Sequence, residues 1–119
     1  MSVELSRKVI GCCYEVSNTL GAGFLENVYE NALSVELERQ ELAYRRQVPL
    51  EVYYKEEVVG RYQPDFLVAD KLIVEIKAVS DLSGEHQAQL LNYLRATGLD
   101  IGLLVNFGRP RIQVKRLVN

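Results

Sequence analysis

Residues 58–79 are Val58-Val59-Gly60-Arg61-Tyr62-Gln63-Pro64-Asp65-Phe66-Leu67-Val68-Ala69-Asp70-Lys71-Leu72-Ile73-Val74-Glu75-Ile76-Lys77-Ala78-Val79. Two β-prone runs, residues 58–68 and 72–79, flank Ala69-Asp70-Lys71, which predicts a pair of antiparallel strands. Residues two apart in a strand share a face, so Glu75 and Lys77 point together while Ile76 faces the core. If the connection is symmetric about Asp70, Asp65 lies directly opposite Glu75 and both carboxylates occupy one face. A two-residue turn at Asp70-Lys71 would oppose them instead, so a shared site requires the three-residue connection or a bulge.

Two carboxylates and a lysine on one sheet face are costly unless something neutralises them. Leu72-Ile73-Val74 and Ile76 mark a largely buried strand, where unpaired charge is rarely tolerated. A divalent cation would neutralise the pair, and oxygen-only ligands suit Mg2+ or Mn2+ rather than zinc. Lys77 could then orient a water or stabilise charge developing on a phosphoryl group. The plainer alternative is a turn residue at Asp65 and a wet sheet face at Glu75 and Lys77, since Pro-Asp and Glu-x-Lys are short, frequent patterns.

Toward the N-terminus, Leu5, Val9, Cys12, Cys13, Val16 and Leu20 recur at helical spacing until Gly21 and Gly23 interrupt them. A second helix is expected over residues 25–40, with Leu25, Val28, Ala32 and Val35 as its apolar positions. Alternation at Val48, Leu50, Val52 and Tyr54 predicts a strand, with Lys55-Glu56-Glu57 as a turn. Ser83 is an N-cap for a helix reaching residue 96 or 97, with Gly98 as its C-cap. A strand buried on both faces follows over residues 101–107, and a last one over 111–117. A helix between the third and fourth strands permits a parallel crossover. The fold class is therefore α/β, a central mixed β-sheet flanked by α-helices, in a single domain over residues 1–119.

The 119 residues are 48% hydrophobic and 25% charged, ordinary for a soluble globular domain. Without an apolar run long enough to span a bilayer, or a signal-peptide stretch, a cytoplasmic protein with no membrane partner is expected. Adjacent Cys12 and Cys13 read as small buried hydrophobes rather than a disulfide or metal pair. The net charge of −2 excludes a protein held to nucleic acid chiefly by bulk positive charge. Arg109, Arg111, Lys115 and Arg116 form either a modest basic patch or a solvated edge strand.

Pro64-Asp65 with Glu75-Ile76-Lys77 resembles the signature of the PD-(D/E)XK nuclease superfamily. Gly23-Phe24-Leu25-Glu26-Asn27-Val28-Tyr29 is similar to the motif that names the GxxExxY proteins, and Gln89-Leu90-Leu91-Asn92-Tyr93 to the Gln-x-x-x-Tyr element of exonuclease-like branches. The phrase over residues 96–108 also looks typical, and the resemblance runs from about residue 5 to 117. It implies a restriction-endonuclease-like core and a Mg2+- or Mn2+-dependent nuclease hydrolysing phosphodiester bonds of DNA or RNA, DNA ahead of RNA. By this resemblance Asp65, Glu75 and Glu26 are metal ligands, Lys77 is the catalytic lysine, and Gln89 supports the site or the substrate.

Other residues are weaker candidates. On spacing alone, Glu26 could simply favour the helix dipole. Tyr29, one turn on, is a packing residue whose hydroxyl lies near the site, and a candidate substrate contact. His86, Gln89 and Tyr93 line one face of their helix; His86 reads as a cap-region or substrate-side residue rather than a general base. Tyr93, Arg109 and Arg111 complete the substrate-binding candidates. The competing functions are a catalytically silent nucleic-acid-binding module and a protein-interaction component; a homodimer could complete the groove.

Overall fold

The most apolar runs of the chain become the middle of the sheet. The computed structural model describes residues 2–119, as α1 (Ser2–Leu20), α2 (Glu26–Arg39), β1 (Tyr44–Arg46), β2 (Leu50–Tyr54), β3 (Glu57–Tyr62), β4 (Phe66–Val68), β5 (Leu72–Lys77), α3 (Gly84–Thr97), β6 (Ile101–Asn106) and β7 (Gln113–Val118). Five strands form a sheet in the order β1-β4-β5-β6-β7, and β2 and β3 form a separate two-stranded sheet. β5 and β6 run parallel, joined by α3 as the crossover; the other neighbours are antiparallel. This is the expected α/β architecture with a mixed sheet between helices. Among the described residues no helix is long and apolar enough to cross a membrane.

Each sheet face has its own core. Val68, Leu72, Val74, Ile76, Leu103 and Val105 pack against α1 and α2. Leu67, Ile73 and Leu104 pack against Leu90 and Leu94 of α3. The free thiols of Cys12 and Cys13 are buried in the α1 stripe, as expected. The stripe of α2 differs from expectation. Tyr29, Leu33 and Leu37 are buried, whereas Leu25 and Val35 are 78% and 53% exposed. The Tyr29 ring stacks on Phe107 at 4.8 Å, and that contact sets the rotation of the helix.

The strand expected over residues 58–68 is two strands, broken at Gln63-Pro64-Asp65. Proline has no N–H to give a ladder, so the sheet cannot run through it. β3 therefore pairs with β2 alone, and β4 with β5. β1 was not expected: it is three residues long and half outside the core, and only its pairing with β4 makes it a strand. The connection Ala69-Asp70-Lys71 is the symmetric one, with Phe66 opposite Val74, Leu67 opposite Ile73 and Val68 opposite Leu72. Ala69 and Asp70 are both left-handed, at φ +53° and +55°, which closes the turn.

One buried polar residue fixes the far end of β5. Asn106 is fully buried; its Oδ1 accepts from Val79 N and Gly108 N, each at 2.9 Å, and its Nδ2 donates to Val79 O at 2.9 Å and Gln113 Oε1 at 3.0 Å. Val79 N, Val79 O and Gly108 N lose this partner in Asn106→Ala, while Gln113 Oε1 keeps its bond from Leu82 N. That substitution is expected to cost about 3 kcal/mol or more in a urea unfolding titration.

Candidate active site

Pro64 leaves Asp65 one residue outside β4, at the point where the antiparallel ladder stops. Continued in the same register, Asp65 would face Glu75 and Pro64 would face Ile76. The side chains take over from the missing rungs. Glu75 Oε1 accepts the Asp65 N–H at 3.0 Å, and Asp65 Oδ2 accepts the Ile76 N–H at 2.7 Å. The two carboxylates are thus brought together and each is held by the other's strand segment.

Lys77 shares the β5 face with Glu75, and both carboxylates feel its charge. Burial pushes Glu75 up to about 7, with repulsion from Asp65 adding to it. The Asp65 N–H, the nearby Tyr62 hydroxyl and Lys77 oppose that rise without cancelling it. Asp65 is also raised by burial, against the pull of the Ile76 N–H.

Glu26 stands in the first turn of α2; partial withdrawal from solvent raises its proton affinity, Lys77 opposes that rise and Asp65 adds to it. It does not join the other two in one ligand cluster. Among the described residues no group of three His, Cys, Asp or Glu side chains is arranged to hold a metal ion. The pair Asp65–Glu75 nevertheless fits a hard cation. Mg2+ is commonly held by one or two carboxylates, with waters and substrate phosphates completing its shell. Two carboxyls with raised proton affinity and one lysine leave negative charge for such an ion to offset.

Gln47, just past β1, holds Asp65 from behind and is itself braced by α2, and no motif points to it. Gln47 Nε2 donates to Asp65 Oδ1 at 3.2 Å and to Glu30 Oε2 at 3.3 Å. Arg46 pairs with Glu30 at 2.7 Å and donates to Asn31 Oδ1 at 2.7 Å. Glu30 is four residues after Glu26, the only sequence clue to its place beside the site.

Tyr29 is not on a substrate surface. It is fully buried, and its hydroxyl donates to Gly21 O at 2.6 Å and accepts from Phe24 N at 3.2 Å. It pins the Gly21–Gly23 turn, and through Phe107, whose N–H bonds Lys77 O at 2.8 Å, ties the start of α2 to the end of β5. His86 acts in the cap: its Nδ1 accepts from Ser83 N at 3.1 Å, while its own N–H is bonded by Ser83 Oγ at 3.3 Å. Gln89 and Tyr93 of α3 line a small gap with Glu75, Lys77, Tyr62 and His86.

Arg109 and Arg111 lie in the loop after β6, at the sheet end where Lys77 opposes Asn106. Both are exposed, and Arg109 is 3.5 Å from Asp81. Lys115 and Arg116 are consecutive on edge strand β7 and point to opposite faces; Arg116 Nε donates to Ser6 Oγ of α1 at 3.3 Å. The C-terminal basic residues therefore form no single patch.

Residues 3–117 match the model of the PD-(D/E)XK nuclease superfamily, and the chain belongs to that superfamily. Its nucleases act on nucleic acids and generally use divalent metals. The crystal structure of SSO0001 is similar in fold, with a TM-score of 0.61 at 20% identity over 78% of this chain and 49% of that one. The chain thus spans about half the length of that protein. No curated protein matches it.

Two measurements test this geometry. A carboxyl raised on folding binds its proton more tightly in the native state. Its stabilising effect is complete below about 4.5 and is lost as pH rises through about 7. Without divalent cation, stability should fall by on the order of 3 kcal/mol across that window; Glu75→Gln should flatten most of the fall in thermal melts. Tyr29→Phe should cost about 1–2 kcal/mol of stability by denaturant titration, since two backbone groups lose their partner.

Proposed function

We propose that this chain is a divalent-metal-dependent hydrolase of nucleic-acid phosphodiester bonds, in the GxxExxY branch of its superfamily. The observation that carries the reading is the reciprocal hold of Asp65 and Glu75, at 3.0 and 2.7 Å, on a face shared with Lys77. Gly23, Glu26 and Tyr29 support the branch: a turn, an acid beside the site and the ring that anchors both.

Asp65 and Glu75 would hold the cation, Mg2+ or Mn2+, with Glu26 contributing from the rim. When bound, the ion supplies Lewis-acid charge to the phosphate and lowers the pKa of water. Lys77 orients the attacking water and offsets charge developing on the phosphoryl oxygens. Gln89 supports the site from α3, Tyr93 and His86 border the substrate, and Arg109 and Arg111 meet the phosphate backbone. DNA ranks ahead of RNA as substrate. We read residues 1–119 as one nuclease-like domain of a cytoplasmic protein, with a homodimer as the form that completes its groove.

Purified protein should cleave DNA or RNA only with Mg2+ or Mn2+. Asp65→Ala and Lys77→Ala should each lower the rate at least about a hundredfold. Cleavage that survives both substitutions removes this site from the mechanism. Tight, salt-dependent binding without turnover in any metal would instead favour the silent binding module.

A further inference from the structure

Tyr62 is the residue of the site that neither the motifs nor the mechanism above has used. It ends β3, three residues before Asp65, and is 8% exposed. Its ring stacks on Tyr93 of α3, with centroids 3.9 Å apart and planes within 6°. That stack turns the hydroxyl toward the gap shared by Glu75, Lys77, His86 and Gln89. The hydroxyl lies within weak hydrogen-bonding reach of Glu75, enough to lower that carboxyl's proton affinity but off the geometry of a full bond. It nevertheless makes no hydrogen bond of acceptable geometry to any protein group, and among the described residues it is the one buried side-chain polar atom in that position.

A buried hydroxyl left unbonded costs about 1–3 kcal/mol, so its position calls for a partner. The gap beside it measures about 10 Å³, close to the least space that holds one water. An organic ligand cannot enter so small a space. Six polar side chains border it, whereas an internal water needs only two to four partners. His86 Nδ1 already accepts the Ser83 N–H in the cap, so that nitrogen is not free to accept from a water in the gap. Glu75 is the carboxylate acceptor bordering the gap, and Tyr62 can donate.

We propose that this gap is a binding site for a single water, which accepts from Tyr62 Oη and donates to Glu75, making Tyr62 a positioning residue for the cation-holding carboxylate. The proposal rests on the metal-site reading above. Glu75 Oε1 is fixed by the Asp65 N–H, and the bridged water fixes the rest of the carboxylate. The Tyr62–Tyr93 stack then connects α3 and the β2–β3 sheet to the orientation of a ligand on β5. Groups that orient a metal ligand commonly change metal affinity by about 10–100-fold when removed.

Tyr62→Phe removes the hydroxyl and keeps the stacked ring. A crystal structure of the wild-type protein that resolves ordered water should place one in the gap, within hydrogen-bond distance of Tyr62 Oη and Glu75. Calorimetric titration with Mn2+ should show about tenfold weaker binding by Tyr62→Phe, at an unchanged melting temperature without metal. In cleavage the variant should lose kcat with KM for nucleic acid unchanged. A dry gap, or Mn2+ affinity equal to wild type, overturns the assignment. If wild type binds Mn2+, the variant binds it about tenfold more weakly and neither cleaves, the hydrolase reading fails while the Tyr62 assignment stands. If the wild type takes up no Mn2+, both fail.

Discussion

The constraint on which the site depends is the missing N–H of Pro64. A residue with an amide there could extend the antiparallel ladder by another rung. Asp65 would then be an ordinary strand position. Because proline cannot donate, the ladder ends at Phe66 and Val74, and the backbone amides of Asp65 and Ile76 turn to carboxylate oxygens. The broken hydrogen-bond pattern draws two acids together, which raises their proton affinity and leaves charge that a cation can offset. A structural interruption and a chemical requirement are met by the same pair of bonds.

The rest of the fold holds that interruption in place. Tyr29 locks the glycine turn before α2 and stacks on Phe107, which bonds the carbonyl of Lys77. Asn106 secures the chain just beyond Lys77 by its bonds to Val79. On the other side Gln47 spans Asp65 and Glu30, so α2 and β1 brace the carboxylate that β4 presents. Each of these contacts restricts where the two carboxylates and Lys77 can go.

Much of this was legible in the sequence because it rests on local rules. The period of two placed Glu75 beside Lys77, and the symmetric connection at Asp70 placed Asp65 opposite Glu75. Ser83 and Gly98 bounded α3 as their capping preferences require. What escaped was nonlocal. Val28, Ala32 and Val35 have helical spacing, but a stack on Phe107, far along the chain, chose Tyr29, Leu33 and Leu37 instead. Tyr44–Arg46 carries no alternation and is a strand only because β4 lies beside it. Gln47 and Tyr62 entered the site through tertiary placement, which no spacing in their own segments announces.

The two outer strands of the large sheet have a consequence of their own. A bare sheet margin is a template on which another chain can hydrogen-bond and grow. Here one margin is the three-residue β1, which carries Arg45 and Arg46; the other is β7, which carries Lys115 and Arg116. Brevity on one side and a cation on each face of the other discourage a second molecule from adding its own strand. Self-association of this protein, where it occurs, is thereby directed away from sheet extension and toward helix or hairpin surfaces, which leaves the broken rung at Asp65 free of lateral competition.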